Sequence, residues 1–458
     1  MAPDTLSYED SLSMEGGARP SWLVRAMQSV KPLDSPLVIE LPAGGEVRLG
    51  RGTRAPFREQ EGVRAVVHVQ TDDERMSTSH ARVVQRTGTW MLLDAGSKNG
   101  TYVNGKRVSS RQLEDGDLLE IGGTMLVYRC GSAATDLALA KKSVGATLPV
   151  LATAAPALAE RFALLERVAG SAIPILVQGE TGTGKELAAR AAHQLGGRPG
   201  PFVAVNCGAL PATLVESQLF GFTKGAFSGA DRDSAGLVRA ADAGTLFLDE
   251  IAELSEASQV ALLRVLQEHE VLPVGATTPI PVDVRVVAAT HRDLEAWIAD
   301  GRFREDLYAR IAGAVIQLEP LRARKEDLGL LISALLRELA GDEAESVQFT
   351  RKAMRLLFTH DWPRNVRELR SALALALTGR DGGPIKESHL PATVTGGPAP
   401  APAAAPETER EPTREAVVDA LRQESGNVSA AARRAGYSRA HFNRLLKRFA
   451  IDPGDYRS

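Results

Sequence analysis

The chain has 458 residues, enough for about three domains at ~150 residues each. Its 44% hydrophobic and 24% charged residues are the composition of a globular protein, and a net charge of −3 excludes a global basic field, so any DNA contact has to be local. Two cysteines, Cys130 and Cys207, exclude a disulfide framework and a cysteine metal cluster and fit a reducing cytoplasm; no apolar run approaches the ~20 residues of a membrane span, and the start lacks a signal pattern.

Residues 1–35 show no clear periodicity and are left unassigned. From 36 to 129 short alternating or apolar runs follow one another: Leu37–Leu41, Val63–Val69, Ala81–Gln85, Trp90–Leu93, Leu118–Ile121 and Met125–Tyr128. Gly, Asn and Asp clusters separate them, which predicts an antiparallel β-sandwich. Within it lie Gly50-Arg51, then Ser77-Thr78-Ser79-His80, then Asn99-Gly100-Thr101-Tyr102-Val103-Asn104-Gly105. This order resembles a forkhead-associated (FHA) domain, and the resemblance implies a reader of phosphothreonine. Arg51 can give phosphate a charge-assisted hydrogen bond, Ser77 a hydroxyl donor, and Asn99 a hold on the ligand backbone, with Lys98 nearby. Thr78 stands where many relatives carry Arg or Asn, and the stretch between Arg51 and Ser77 is long. His80, Gly100 and Asn104 are expected to brace the loops. The implied partner is a phosphothreonine protein or a Ser/Thr kinase.

Residues 130–157 are Ala-rich and weakly patterned, and read as a linker. From 158 to 320 apolar strands (Ile173–Val177, Phe202–Val205, Thr245–Leu248, Val284–Ala288) alternate with helical stretches such as 255–270, which predicts an α/β unit with a parallel sheet. Residues 321–395 read as all helical. The first strand runs into Gly179-Glu180-Thr181-Gly182-Thr183-Gly184-Lys185-Glu186, and a helix follows. In that context glycines let backbone N–H groups face phosphate, and Lys185 reaches the terminal phosphates. A hydroxyl usually follows the lysine; here the residue is Glu186. Asp249-Glu250 ends the apolar strand Thr245–Leu248, placing Asp249 to hold Mg2+ and Glu250 to polarise water. Between the two lies Gly225-Ala226-Phe227-Ser228-Gly229-Ala230, an aromatic between glycines that a mobile backbone can present or hide.

These motifs resemble the AAA+ domain of sigma-54-dependent activators, the NtrC-like enhancer-binding proteins. The likeness also rests on Asn206-Cys207, Leu219-Phe220-Gly221, Gly301–Tyr308, Pro320-Leu321-Arg322 and Trp362–Leu369. Glu is usual at Glu186 in that family. The resemblance implies an ATPase that binds ATP and Mg2+. In it Asn206 holds the catalytic glutamate until nucleotide is sensed, and Arg304 and Arg310 reach a neighbour's phosphate in a hexameric ring. Arg367 senses the γ-phosphate, and residues 225–230 touch sigma-54. Arg322 and Arg324 read as surface salt bridges, contributing ~0–1 kcal/mol each. This chain departs from the family at Ser228 (usually Thr), Gln218 (Glu), Phe222-Thr223 (His-Glu), His291 (Asn) and Arg364 (Gly).

Residues 396–413 are Pro/Ala-rich and read as an extended linker. Beyond them 414–423 is helical, Asn427 can cap a second helix through Ala435, and Ser438 a third with Phe442, Leu445, Leu446 and Phe449 on one face. Eight basic against three acidic residues in 414–450 concentrate charge that the whole chain lacks. That is the footprint of a helix-turn-helix, and it resembles the Fis-type module of the same activators. Arg439, Asn443 and Arg444 are expected at bases, Lys447 and Arg448 at phosphates of enhancer DNA.

The sequence thus implies a cytoplasmic, nucleoid-associated bacterial activator of three folded parts, a β-sandwich, an α/β ATPase with a helical lid, and an all-α DNA reader. It would remodel sigma-54 RNA polymerase and engage no membrane. The alternative is a DNA-bound scaffold or repressor that binds nucleotide but no longer drives sigma-54.

Overall fold

The computed structural model describes residues 19–131, 134–146, 148–209, 212–228, 230–396, 414–424, 427–434 and 451–456, together with Phe442, Leu446 and Phe449. It divides into one unit ending at Thr395 and a second beginning at Gly396.

Twelve short strands come first: β1 (Ser21–Gln28), β2 (Leu37–Glu40), β3 (Glu46–Arg51), β4 (Phe57–Glu61), β5 (Arg64–Thr71), β6 (Ala81–Arg86), β7 (Thr89–Asp94), β8 (Thr101–Val103), β9 (Lys106–Val108), β10 (Ser110–Gln112), β11 (Leu118–Ile121) and β12 (Thr124–Cys130). They form two sheets, ordered β2-β1-β12-β11-β8-β9 and β10-β7-β6-β3-β5-β4. Leu23, Val47, Leu92, Leu119 and Ile121 fill the space between them. One pairing departs from the antiparallel expectation: β3 and β5 are parallel. The long stretch after Arg51 supplies the cause. It makes β4 an outer edge strand, paired antiparallel with β5, and so returns β5 beside β3 in the same direction.

The sandwich also begins earlier than 36. β1 lies in the unassigned segment and pairs with both β2 and β12. It lacks alternation because both of its faces are buried. Leu23 enters the sandwich core, Trp22 and Val24 pack on Leu137 and Ala154, and Ala26 and Met27 join a cluster with the helical part of the chain. Residues 130–157, expected to be a loose linker, instead contain α1 (Ala134–Ser143) and the buried Ala140 and Leu151.

The α/β part follows with α2 (Pro156–Ala169), β13 (Ile175–Gln178), α3 (Lys185–Gly196), β14 (Phe202–Asn206), α4 (Ala212–Phe220), α5 (Gly236–Ala240), β15 (Thr245–Asp249), α6 (Glu256–Glu268), β16 (Glu270–Val271), β17 (Ile280–Pro281), β18 (Arg285–Thr290), α7 (Leu294–Ala299), α8 (Glu305–Ile311) and β19 (Ala314–Gln317). Its parallel sheet runs β14-β15-β18-β13-β19. Alternate residues feed opposite faces: Leu176, Leu246 and Val286 to one core, Ile175, Phe247 and Val287 to the other. The C-terminal ends of β13, β15 and β18 therefore meet at one edge, where ligands of such sheets sit.

A helical lid completes the first unit: α9 (Leu328–Ala340), α10 (Arg351–Thr359), α11 (Asn365–Gly379) and α12 (Ala392–Thr395). The sandwich is seated on it. Leu118, Met125 and Val127 share a core with Leu328, Ile332 and Phe349, and the Phe349 N–H donates to the Ser29 carbonyl at 2.7 Å. A side chain at Gly329 would drive its Cβ into the Ala26 carbonyl oxygen, so glycine is what lets α9 approach β1. Glu120 on β11 is 2% exposed and is gripped by Arg351 and by Arg355, whose Nε and Nη2 lie at 2.5 and 2.7 Å.

Glu326 is fully buried beside Arg129, whose Nε is 3.3 Å away, and burial pushes its carboxyl up to about 7. A folded pKa above the unfolded one makes the bound proton stabilising at low pH, a gain lost as pH rises from about 4.5 through about 7. The expected loss is ~3 kcal/mol across that window. Urea unfolding at pH 4.5 and pH 8 should show this loss in wild type and not in Glu326→Gln; equal pH dependence of the two proteins would contradict it.

The second unit contains α13 (Arg414–Gln423) and α14 (Val428–Arg434). Val417, Leu421, Ala431, Ala432, Phe442 and Leu446 form its core. The Asn427 Oδ1 accepts the Ala430 N–H at 3.2 Å, capping α14. Among the described residues no helix is long and apolar enough to cross a membrane.

Candidate functional site

β13 is buried and stiff, and it delivers the chain into a turn in which Gly179, Gly182 and Gly184 all have positive φ. Only glycine adopts these angles cheaply, and a turn of this kind leading into a helix is one that can aim backbone N–H groups at an anion. Thr183 is buried, with its hydroxyl on the Glu180 carbonyl at 2.8 Å. Thr181 and Glu186 are exposed, and Glu186 pairs with Arg190 one turn along the helix. Lys185 is 7% exposed; its Nζ donates to the Gly179 carbonyl at 3.0 Å and lies 3.8 Å from Glu250. Burial lowers its pKa, opposed by the charges of Glu250 and Asp249.

Asp249 ends β15 half buried, and burial together with the neighbouring Glu250 raises its pKa. A divalent cation would relieve that crowding of negative charge, so the donors fit Mg2+, and Asp249 is the residue that could hold it. Glu250 has φ 54°, an unusual backbone for a non-glycine residue. Its second carboxylate oxygen is 2.6 Å from the His291 Nδ1, at the end of β18. The Asn206 Oδ1 accepts the N–H groups of Gly208 and Ala209, both at 3.0 Å. His291 is the residue that sequence reasoning missed, flagged there only as a departure. A hydrogen bond to a charged group contributes about 1.5–3 kcal/mol. Steady-state assays of His291→Ala should therefore show kcat about tenfold lower with unchanged nucleotide affinity, and an unchanged kcat would deny His291 this role.

The lid closes over the loop. Fully buried Asn365 donates to the Glu180 Oε2 and the Thr181 carbonyl, both at 3.1 Å, and accepts the Leu321 N–H at 2.7 Å. The Val366 N–H reaches the Gly182 carbonyl at 3.0 Å. Arg367 stands over the same glycine, and its charge depresses Lys185. Arg322 grips Glu180 with two hydrogen bonds, of which one is 2.9 Å long, and holds that carboxyl down at about 2. Arg324 is not a surface residue: it is 6% exposed, donates to the Thr183 carbonyl and pairs with Asp327. Arg304 stands at the N-cap of α8 and Arg310 in its last turn; Arg304 is paired with Asp306 at 2.7 Å and Arg310 is exposed. Among the described residues neither bonds to the phosphate loop of its own chain.

The Gly225 N–H donates to the Ala230 carbonyl and the Ala230 N–H to the Phe227 carbonyl, so the chain around Phe227 turns back on itself. Phe227 is 41% exposed and leans on Phe222, ring centres 5.0 Å apart. Phe222, one of the departures from the family pattern, is thus the platform under Phe227. Ala226 and Ser228 flank it, and Gly229 lies outside the described residues.

In the sandwich Arg51 and Thr78 are exposed, and the Arg51 N–H donates to the Ser77 carbonyl at 2.9 Å. The Ser77 Oγ accepts the Lys98 N–H at 3.1 Å, and the Asn99 Nδ2 donates to the Arg75 carbonyl at 2.7 Å. Arg51, Ser77, Thr78, Lys98 and Asn99 are therefore brought to one loop cluster. Beneath it buried His80 accepts the Ser77 N–H, and burial lowers its pKa, which keeps the ring neutral. Arg439, Asn443, Arg444, Lys447 and Arg448, expected at DNA, lie outside the described residues.

Comparison with known proteins matches residues 151–317 to the Sigma-54 interaction domain, 322–407 to the AAA+ ATPase lid domain and 47–122 to the FHA domain. The chain is 46% identical over 299 residues to an acetoin catabolism regulatory protein of Cupriavidus necator, covering 62% of this chain and 44% of that one. It is 42% identical over 311 residues to the transcriptional regulatory protein ZraR of Salmonella typhi, covering 65% and 70%. Among solved structures, NtrX from Brucella abortus in complex with ATP is similar at 30% identity, covering 68% and 72%, with a TM-score of 0.48. This chain therefore spans less than half the length of the acetoin regulator and over two thirds of ZraR. With an FHA domain ahead of an AAA+ domain and its lid, the chain belongs to the sigma-54-dependent transcriptional regulators.

Proposed function

We propose that this protein hydrolyses ATP and uses the cycle to remodel sigma-54 RNA polymerase at promoters, under control of a phosphothreonine read by its FHA domain. The observation that carries the reading is the meeting of Lys185, Asp249 and Glu250 at one sheet edge, in a chain that also presents an exposed Phe227 on a separate turn. Glu250, aligned by His291 and facing Lys185, orients the attacking water, and Lys185 steadies the phosphates. Asp249 would hold Mg2+, which when bound would neutralise phosphate charge. Arg304 and Arg310, at the start and in the last turn of α8, complete the site of a neighbouring subunit in a ring, hexameric as in the resemblance. The turn 225–230 carries the push to sigma-54, acting in the bacterial cytoplasm.

Phosphothreonine control is supported by one side chain in particular. Arg351 of α10 bonds Glu120 and also donates to the carbonyl of Asn99, in the phosphate-reading loop, at 3.4 Å. A ligand that draws on Asn99 and Lys98 thus acts on the seat of the lid. Residues 439–448 would read enhancer DNA.

The test separates pushing from hydrolysis. Phe227→Ala should keep ATP turnover within about twofold of wild type while promoter melting by sigma-54 polymerase is lost, since an exposed aromatic on a loop contributes to contact and not to the phosphate site. Melting undiminished by the change would contradict the role of the turn. Turnover by wild type with no melting, even with a phosphothreonine peptide bound, would favour the scaffold or repressor.

A further inference from the structure

The phosphate loop opens into a cavity of about 470 Å3, within the ~300–1,000 Å3 of small-molecule sites. Thr183 and Gly184 line its inner end, so cavity and loop are continuous. On the ATPase side its walls are apolar, with Phe162, Leu318 and Leu331. Leu187 faces it as well and is 52% exposed, an apolar side chain left open. Arg324 also lines it, 6% exposed, with a buried Nε that has no partner.

The opposite wall comes from elsewhere in the chain. Leu33–Pro36, between β1 and β2 of the sandwich, and Val144, Pro149 and Val150, after α1, close the cavity. The sandwich loop is pinned in place: Arg337 of α9 donates to the Leu33 carbonyl at 3.3 Å, and the Ser333 hydroxyl reaches the same oxygen at 3.5 Å. Four residues before Ser333, one turn back, Gly329 presses on β1.

We propose that the sandwich is a structural part of the nucleotide site. Its β1–β2 loop and the segment after α1 complete the pocket that receives the base and ribose, and the seat of the sandwich on the lid sets how long nucleotide stays bound. The occupant follows from continuity with the phosphate loop: a group whose phosphates lie on Gly179–Lys185 projects its apolar, flat end into this cavity. A base is held longest when its faces are fully covered, and here the sandwich loop and the segment after α1 add to the cover given by the α/β part and the lid. Lifting the sandwich removes that added cover and shortens the residence time. The inference rests on the nucleotide reading above and adds to it a dependence on residues far from any phosphate-binding motif.

Two experiments on the full chain test it. The first is stopped-flow displacement of N-methylanthraniloyl-ADP from wild type and from Gly329→Ala, where the new methyl group pushes β1 off α9 without touching the cavity. The proposal expects release at least about tenfold faster in the variant; equal rates in a variant whose sandwich is shown by proteolysis to have lifted would overturn it. The second does not depend on undocking. An environment-sensitive dye on Ser35→Cys, in a Cys130→Ser background, should change emission on addition of ADP and fail to do so when Lys185→Ala is added. Cys207 stays unlabelled, because it is buried and its thiol is pushed up to about 12. A dye that stays silent while ADP binds would place the base elsewhere and overturn the proposal alone. A wild-type chain that binds no ADP would overturn the nucleotide reading, and the proposal with it.

Discussion

A chain carrying Glu250→Gln binds ATP with wild-type affinity and turns it over at least about a hundredfold more slowly. A positioned carboxylate contributes ~10²–10⁴ to such a step through the proton it draws from water. The amide keeps the shape and can still meet His291, which lies 2.6 Å from the carboxylate. What it loses is the negative charge that polarises water beside Lys185 and Asp249. Binding survives because the glycine turn and Lys185 are intact. Isothermal titration with ATP and a steady-state phosphate-release assay measure the two halves separately. Loss of binding along with turnover would mean that Glu250 holds the loop together, and turnover within tenfold of wild type would remove it as the residue that orients water.

Glu120→Ala has the largest expected effect on the assembly of the first unit. This carboxylate is 2% exposed and receives two guanidinium groups one helical turn apart. Truncating one partner of a buried ion pair leaves the others desolvated without compensation, at about 3–5 kcal/mol. Both Arg351 and Arg355 stack on Tyr102 as well, at 4.6 and 4.8 Å, which holds their guanidinium groups at the Glu120 site. Hydrogen exchange of the amides in α10 and β11 should accelerate at least about a hundredfold, the equivalent of ~3 kcal/mol of local opening. Glu120→Gln, which retains acceptors but not charge, should fall between. Exchange unchanged in Glu120→Ala would mean that the apolar contacts alone hold the sandwich on the lid.

The parts of this molecule written in short-range pattern were legible in its sequence. The glycine turn, Asp249-Glu250 and the turn around Phe227 each need fixed residue types at fixed spacing, and the first two lie at neighbouring strand ends, with Lys185 3.8 Å from Glu250. What escaped is long-range. β1 lacks alternation because sandwich, α1 and lid cover both of its faces. Glu120 alternates with the apolar Leu119 and Ile121 and so reads as a solvent-facing strand residue, while Arg351 and Arg355 read as an ordinary helix surface. Only their meeting, more than two hundred residues apart in the chain, turns three exposed-looking charges into a buried clamp. Arg324 misled in the same way, since its partners Thr183 and Asp327 are brought together by the lid. Asn365, within a run noted for its likeness to the family, carried no sign that it would bridge Glu180, Thr181 and Leu321. His291 stood out as a departure, but its bond to Glu250 follows from β15 and β18 being neighbours, which sequence order does not state.

The most direct measurement of the central claim is open-complex formation by purified sigma-54 RNA polymerase on a supercoiled sigma-54 promoter with this protein added. It should be run with ATP and, in parallel, with a non-hydrolysable analogue, each with and without a phosphothreonine peptide. Melting that appears with ATP and not with the analogue is the predicted result. Melting that proceeds equally with the analogue, or ATP turnover that never melts the promoter under any of these conditions, would contradict it.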